Sequence, residues 1–227
     1  MREPVSRTDR ILDAAGQLLL RFGYRKVTIE DVSRRAGIGK GTVYLHWRTK
    51  QELFEALLRR ESIALIVRLL ERLRADPAEV RPHRMSRGTF LACLDAPLML
   101  ALVTGDSELL GQLRDSPHAG QDLVATDQIY DIWARHGLIR TDVPNLRYAM
   151  TAVSTGFYLI EGDPASASLD AQAKADALAH TIRVAFEPAG RPSRRALAAA
   201  AAEVAAVSDD IIGSYRKWIY SDNGETS

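Results

Sequence analysis

Apolar residues recur along this chain at intervals of three and four from near its start. Ile11, Ala15, Leu18, Leu19 and Phe22 fall on one side of a helix over about 7–22, with Arg7, Asp9 and Arg10 around its beginning. Gly23 closes it. Thr28 then stands where an N-cap belongs, Glu30 and Asp31 complement the dipole in the first turn, and Ile29, Val32 and Ala36 point inward, which predicts a second helix barely two turns long. Gly37 supplies a stop and a tight turn, because a residue there commonly needs positive φ. A third short helix follows over about Lys40 to Trp47. Thr49 and Glu52 have the spacing of a capping box, and Leu53, Phe54, Leu57, Leu58, Leu65 and Leu69 carry a fourth, longer helix to about Arg74, where Pro77 prevents much continuation.

Beyond Pro82 the period stays helical, with segments expected near 83–103, 106–115, 119–136, 144–161, 170–187 and 194–220. Stops are readable at Gly105, Pro117, Gly137, Gly162-Asp163-Pro164 and Pro188, and Pro144 sits at a first-turn position. The Ala-rich run from Ala196 to Val207 reads as helix, since Ala is the strongest helix former. No strand-like alternation and no repeat of 20 to 50 residues is visible, so the expected fold class is all-α.

The whole-chain charge of +1 names no partner, but its distribution does. Residues 1–50 hold 11 Lys or Arg against 5 Asp or Glu, and the remainder of the chain is net acidic. A basic head on an acidic body suggests a polyanion-binding module joined to something that does not bind polyanions, although a solvated basic surface would look the same by charge. The single cysteine, Cys93, lies between Leu91 and Leu94 and reads as a buried thiol, which suits a reducing, cytoplasmic setting. No stretch reaches about 18 uninterrupted apolar residues and the N-terminus has no apolar targeting core, so neither membrane spanning nor secretion is expected.

Three short helices with a Gly turn between the second and third form the geometry of a helix-turn-helix, whose last helix enters a major groove by its N-terminal half. Along Ile38 to Trp47, the residues Ile38, Val43 and Trp47 face a core, and Lys40, Gly41, Thr42, Tyr44 and His46 face outward. Gly41 on a helix face costs about 0.5 to 1 kcal/mol relative to Ala, which suggests that a base pair or phosphate approaches the backbone there. Thr28 and the N–H groups near Gly39 and Lys40 are placed to bond phosphate.

The run from Thr28 to Phe54, TIEDVSRRAGIGKGTVYLHWRTKQELF, resembles the signature of the TetR family of bacterial transcriptional regulators. The resemblance covers about residues 8–60; the rest of the chain is compatible with that family's variable helical regulatory domain. It implies a DNA-binding domain over 1–50 and a helical effector-binding and dimerisation domain over 51–227. By position, the implied contacts to double-stranded operator DNA are Thr28, the Gly39 backbone, Lys40, Gly41, Thr42, Tyr44, His46 and Lys50. Thr28, Tyr44 and Lys50 would clamp phosphates. Lys40, Thr42 and His46 would read base edges, with Leu45 available to a thymine methyl. Gly39 replaces the family's usual Ser, so one hydroxyl contact is absent. Arg34 and Arg35 read as ordinary surface residues.

The resemblance also implies a homodimer, with the helices near 144–161 and 170–187 pairing with their copies, unless those faces are intrachain core. The 194–220 helix, with Trp218 and Tyr220, extends past the family's usual end and could lengthen that interface or wrap the partner. Phe90, Met99, Tyr130, Trp133 and Tyr158 are candidates to line a pocket for an unidentified small hydrophobic effector, with His83, His118 and His136 as polar groups; for each of them a core role competes. No metal-spaced His or Cys cluster, phosphate-cradling loop or catalytic constellation is present, so neither an enzyme nor a cofactor is expected. The expected function is a repressor released from a palindromic operator by its effector. An architectural or non-inducible DNA-binding protein is the alternative.

Overall fold

The computed structural model describes residues 6–115, 119–160 and 168–220. Eleven α-helices and two short 3-10 turns account for the regular structure among them. The expected stops at Pro117 and Gly162-Asp163-Pro164, and His118 with them, lie outside the described residues.

Helix α1 (Arg7–Lys26) starts on Ser6, whose hydroxyl accepts from the Asp9 N–H, and buries Ile11, Leu12, Ala15 and Leu19 completely. It runs four residues past the expected end, but with a break at Gly23, where φ is +73°. A Cβ there would lie 2.7 Å from the Glu108 carbonyl oxygen, so close backbone approach and positive φ both demand glycine. Helix α2 (Ile29–Ala36) ends on Gly37 at φ +67°, and α3 (Lys40–His46) is set off by that turn. Helix α4 (Lys50–Ala75) begins on Thr49, whose Oγ1 accepts from the Glu52 N–H; the Glu52 carboxylate accepts from the Arg48 N–H instead of completing a box with Thr49.

The segment expected as a single helix over 83–103 is two: α5 (Pro82–Leu94) and α6 (Pro97–Thr104), bent by 115°. Pro97 causes the break, since it cannot donate its backbone N–H and forbids helical continuation through the preceding turn. Likewise the 106–115 segment splits at Gly111 into α7 (Ser107–Leu110) and a 3-10 turn (Gly111–Asp115). Helices α8 (Ala119–Arg135), α9 (Leu146–Leu159), α10 (Ala171–Phe186) and α11 (Arg194–Tyr220) match the remaining expectations to within a few residues.

Packing places α10 against α5 and α9, while α6 bridges α9 and α4. At the α10–α5 junction the buried Glu187 carboxylate accepts from Arg81 at 2.8 Å and from the His83 backbone N–H at 2.9 Å, with His83 Nδ1 at 2.7 Å. Helix α11 folds back along α4 of its own chain, where Arg74 meets Asp209 at 2.9 Å, Arg59 lies 3.7 Å from the Trp218 ring centroid, and Ile212, Tyr215 and Ile219 are buried. The reason is amphipathicity: α4 has an apolar stripe on more than one side, and α11 covers the one that α5 and α6 leave open.

Candidate functional site

The site is built on the turn between α2 and α3. Thr28 caps α2 through a reciprocal box that spacing did not single out: its Oγ1 accepts from the Asp31 N–H at 3.2 Å, and the Thr28 N–H donates to Asp31 Oδ2 at 3.0 Å. The Thr28 hydroxyl proton also goes to Asp31, at 2.6 Å. These bonds hold the Asp31 carboxyl below the usual carboxylate value, the Thr28 hydroxyl bond being the main cause. The Thr28 hydroxyl, though exposed, has its one proton on Asp31, so a phosphate bonded there must take that proton's bond away from Asp31.

Helix α3 is anchored from below by Val43, with no exposure, and by Trp47 at its end; Ile38 packs against the same core while half-buried. This leaves Lys40, Gly41, Tyr44 and Leu45 exposed on the other side, Leu45 at 73%. Thr42 and His46 are half-buried at its edges, and the His46 ring lies 5.5 Å from that of Trp47. Gly39 caps α3 from extended backbone with no side-chain bond, and a Cβ at Gly41 would meet nothing within 4 Å. Nothing inside the chain requires glycine at 41.

Lys50 is placed differently from its neighbours. Its ammonium donates to the Tyr24 carbonyl and sits 4.1 Å from the Tyr24 ring centroid, and burial pulls its pKa below the ordinary lysine value. The side chain thus ties the start of α4 to the end of α1. Arg35 donates to Gln17 of α1 at 2.6 Å, and the exposed Arg34 pairs with Glu30, as befits surface residues. Arg48, exposed between α3 and α4, adds positive charge that the motif reading passed over.

The five residues expected around an effector are buried in two groups. Phe90 and Tyr158 stack at 5.0 Å, beside the Cys93 thiol that pairs with the Tyr158 hydroxyl; burial first, then Cys93, pushes the Tyr158 phenol far up. Met99 accepts from Ser62 at 3.5 Å. Tyr130 and Trp133 meet edge to face at 5.3 Å, and the Trp133 indole donates to the Val80 carbonyl at 2.7 Å. None of the five lines the apolar cavity of about 200 Å³ enclosed by α4, the Pro77–Val80 turn, α5, α8 and α11. His83 and His136 are bound to Glu187 and Glu203. Tyr130 instead lines a separate open groove with Ile139, Val143 and Leu146, and the mainly aliphatic walls of the cavity under α11 gave no sequence signal.

Among the described residues no group of three or more His, Cys, Asp or Glu is placed to hold a metal ion, and no single helix is long and apolar enough to cross a membrane.

Comparison with known proteins bears on this motif first. Residues 11–57 match the family model for bacterial regulatory proteins of the tetR family. Over 53 residues the chain is 43% identical to the HTH-type transcriptional regulator YvkB of Bacillus subtilis, and over 57 residues it is 33% identical to the HTH-type transcriptional repressor KstR2 of Mycolicibacterium smegmatis. These matches cover 23% and 25% of this chain and 28% of each relative, so they speak for the N-terminal region. For the fold, a tetR family transcription regulator structure from Shewanella sp. PV-4 aligns with TM-score 0.54 at 16% identity, covering 80% of this chain and 98% of that one. A gamma-butyrolactone receptor, described as ArpA-like, aligns with TM-score 0.50 at 19% identity, covering 88% and 96%. Residues 11–57 thus carry the DNA-binding motif of the tetR family of bacterial regulatory proteins, and the helical body shares the fold of these two structures.

Proposed function

We propose that this chain is a transcriptional regulator that binds a palindromic operator in double-stranded DNA as a homodimer, represses, and is released by a small hydrophobic effector. The observation that carries the DNA-binding part is the face of α3: a helix fixed on its inner side by Val43 and Trp47, presenting Lys40, Gly41, Tyr44 and Leu45 outward with Thr42 and His46 half-buried at its edges, next to the Thr28 cap. In this reading residues 1–50 form the DNA-binding head and residues 51–227 the regulatory body, and the protein acts in the cytoplasm; the exposed face of α3 supports the first of these.

Dimerisation is supported by the outer faces of α9 and α10. Tyr148, Leu159 and Val184 are each more than 60% exposed, and small residues such as Ala152, Gly156 and Ala177 between them allow two copies of the helices to approach closely. Effector control is supported by an apolar cavity within the body, and by a fold neighbour described as a gamma-butyrolactone receptor. DNA footprinting with the purified chain on the DNA flanking its own gene tests the reading: the expected result is a protected palindrome spanning roughly 15 to 30 bp. Protection without two-fold symmetry, or equal affinity for random DNA, would favour an architectural protein.

A further inference from the structure

The cavity under α11 has an unusual lining. Ile66, Leu69, Leu73, Met85, Ile129 and Ile211 make its walls apolar, and Arg72, Glu79 and Arg84 close one end. Arg72 donates to Oε2 of Glu79 through Nε at 3.1 Å and Nη2 at 2.6 Å. Arg84 reaches Oε1 of Glu79 at 2.5 Å and Oδ2 of Asp76 at 2.9 Å. Two guanidiniums and two carboxylates leave this cluster with no net charge.

Its hydrogen-bonding balance is less even. Both oxygens of Glu79 are occupied, whereas each guanidinium has five N–H groups and these bonds use a minority of them. What the polar end offers to a guest is therefore donors. An ammonium would bring donors where the acceptors are taken. A carboxylate would add a negative charge to a cluster already neutral, whose guanidiniums are partly exposed and gain little from a further ion pair. A neutral oxygen acceptor fits both the charge and the donor count.

We propose that this cavity binds a neutral aliphatic molecule carrying a carbonyl oxygen, a ketone or ester, with the chain among the leucines and isoleucines and the oxygen accepting from Arg72 and Arg84. The volume of about 200 Å³ sets its size. At ~30 Å³ per water-sized group this is room for about seven, so a guest of roughly six to nine non-hydrogen atoms is accommodated. For its consequence, though not for binding itself, the inference rests on the effector-responsive reading above. The route is short: Val204, Ser208 and Ile211 of the cavity belong to α11, and the last residue of that helix, Tyr220, bonds Asp9 of α1 at 2.8 Å.

Titration calorimetry of the full chain without DNA tests it, with octan-2-one, octanoate and octylamine as probes. Saturable binding of octan-2-one at least tenfold tighter than of the two charged probes is expected. Ser208→Leu and Ile211→Trp, which fill the cavity from α11, should each abolish that binding while leaving the operator footprint in place. Tighter binding of octanoate or octylamine, no binding of octan-2-one, or unchanged binding in both filled variants overturns the proposal. In the unsubstituted chain, no ketone binding with an intact footprint refutes this site and spares the DNA-binding reading; a bound ketone without a footprint does the reverse.

Discussion

The Tyr220 hydroxyl donates to Oδ1 of Asp9 across 2.8 Å, joining the end of α11 to the first turn of α1. Burial, then the Asp9 carboxylate, raises the Tyr220 phenol to about 12, so the donated proton is retained at neutral pH. Two residues earlier, Trp218 covers the buried Arg59 of α4, which pairs with Glu55 at 3.7 Å. Helix α4 is thus accompanied into the N-terminal region by α11, and Arg60 adds a bond to Asp13 of α1 at 2.8 Å.

Trp218→Ala should therefore destabilise the chain by about 2 to 4 kcal/mol, since it removes both apolar cover and a face for a desolvated guanidinium. Tyr220→Phe, which removes one partly exposed hydrogen bond, should cost only about 0.5 to 1 kcal/mol. Urea unfolding followed by circular dichroism measures both. Equal effects would mean that the helix end is loosely seated.

Gly41→Ala separates stability from binding. Because a Cβ at this position meets nothing within 4 Å, the substitution should stabilise α3 by about 0.5 to 1 kcal/mol. If DNA approaches the backbone at this point, the same change should weaken operator affinity. A raised melting temperature with undiminished affinity in a mobility-shift titration would show that DNA leaves this backbone clear. Lys40→Ala and Thr42→Ala should each cost about 1 to 3 kcal/mol, chiefly on the cognate site.

Lys50→Ala is expected to act on the fold as well as on DNA. The ammonium over Tyr24 and its bond to the Tyr24 carbonyl make it a tie between α1 and α4, worth about 1 to 2 kcal/mol. A phosphate contact at the same residue would in addition lower the salt slope of DNA binding by about 1. A melting curve and a salt series distinguish the two contributions.

The Glu187 carboxylate gives a pH signature. Burial alone would raise its pKa, but bonds from His83 and Arg81 prevail and hold it below the ordinary 4.5. A folded-state pKa below the unfolded one contributes stability that is present above the ordinary carboxylate range and lost as pH falls through the folded value. Glu187→Gln should cost about 3 to 5 kcal/mol near neutral pH by leaving Arg81 partly uncompensated. The difference from the parent should narrow in unfolding curves taken below pH ~4.

What the sequence made legible was local. Thr28, Gly37 and Thr49 mark helix ends by interactions within three or four residues, and the α2–α3 pattern is held in one short run, so both the helices and the outward set on α3 could be read directly. Pro97 was legible too, but the apolar period continues across it and concealed the 115° bend. The path of α11 was not available from spacing, because Arg74–Asp209 and Arg59–Trp218 connect positions more than 130 residues apart. Amphipathicity shows that a helix has a face to bury and leaves its partner open. The cavity escaped for a related reason: Arg72, Glu79 and Arg84 become one cluster only when the Pro77 turn brings α5 back against α4.

Closure of α4 by the last helix also sets an order of events during synthesis. At about 5 to 20 residues per second, on the order of ten seconds or more separates emergence of the N-terminal helices from completion of the segment that holds Trp218 and Tyr220. Throughout that interval Arg59, Leu70 and Leu73 lack the cover that α11 gives them, and the nascent chain presents an apolar strip to whatever is nearby. A chain cut short before α11 would therefore carry α3 on an unfinished support.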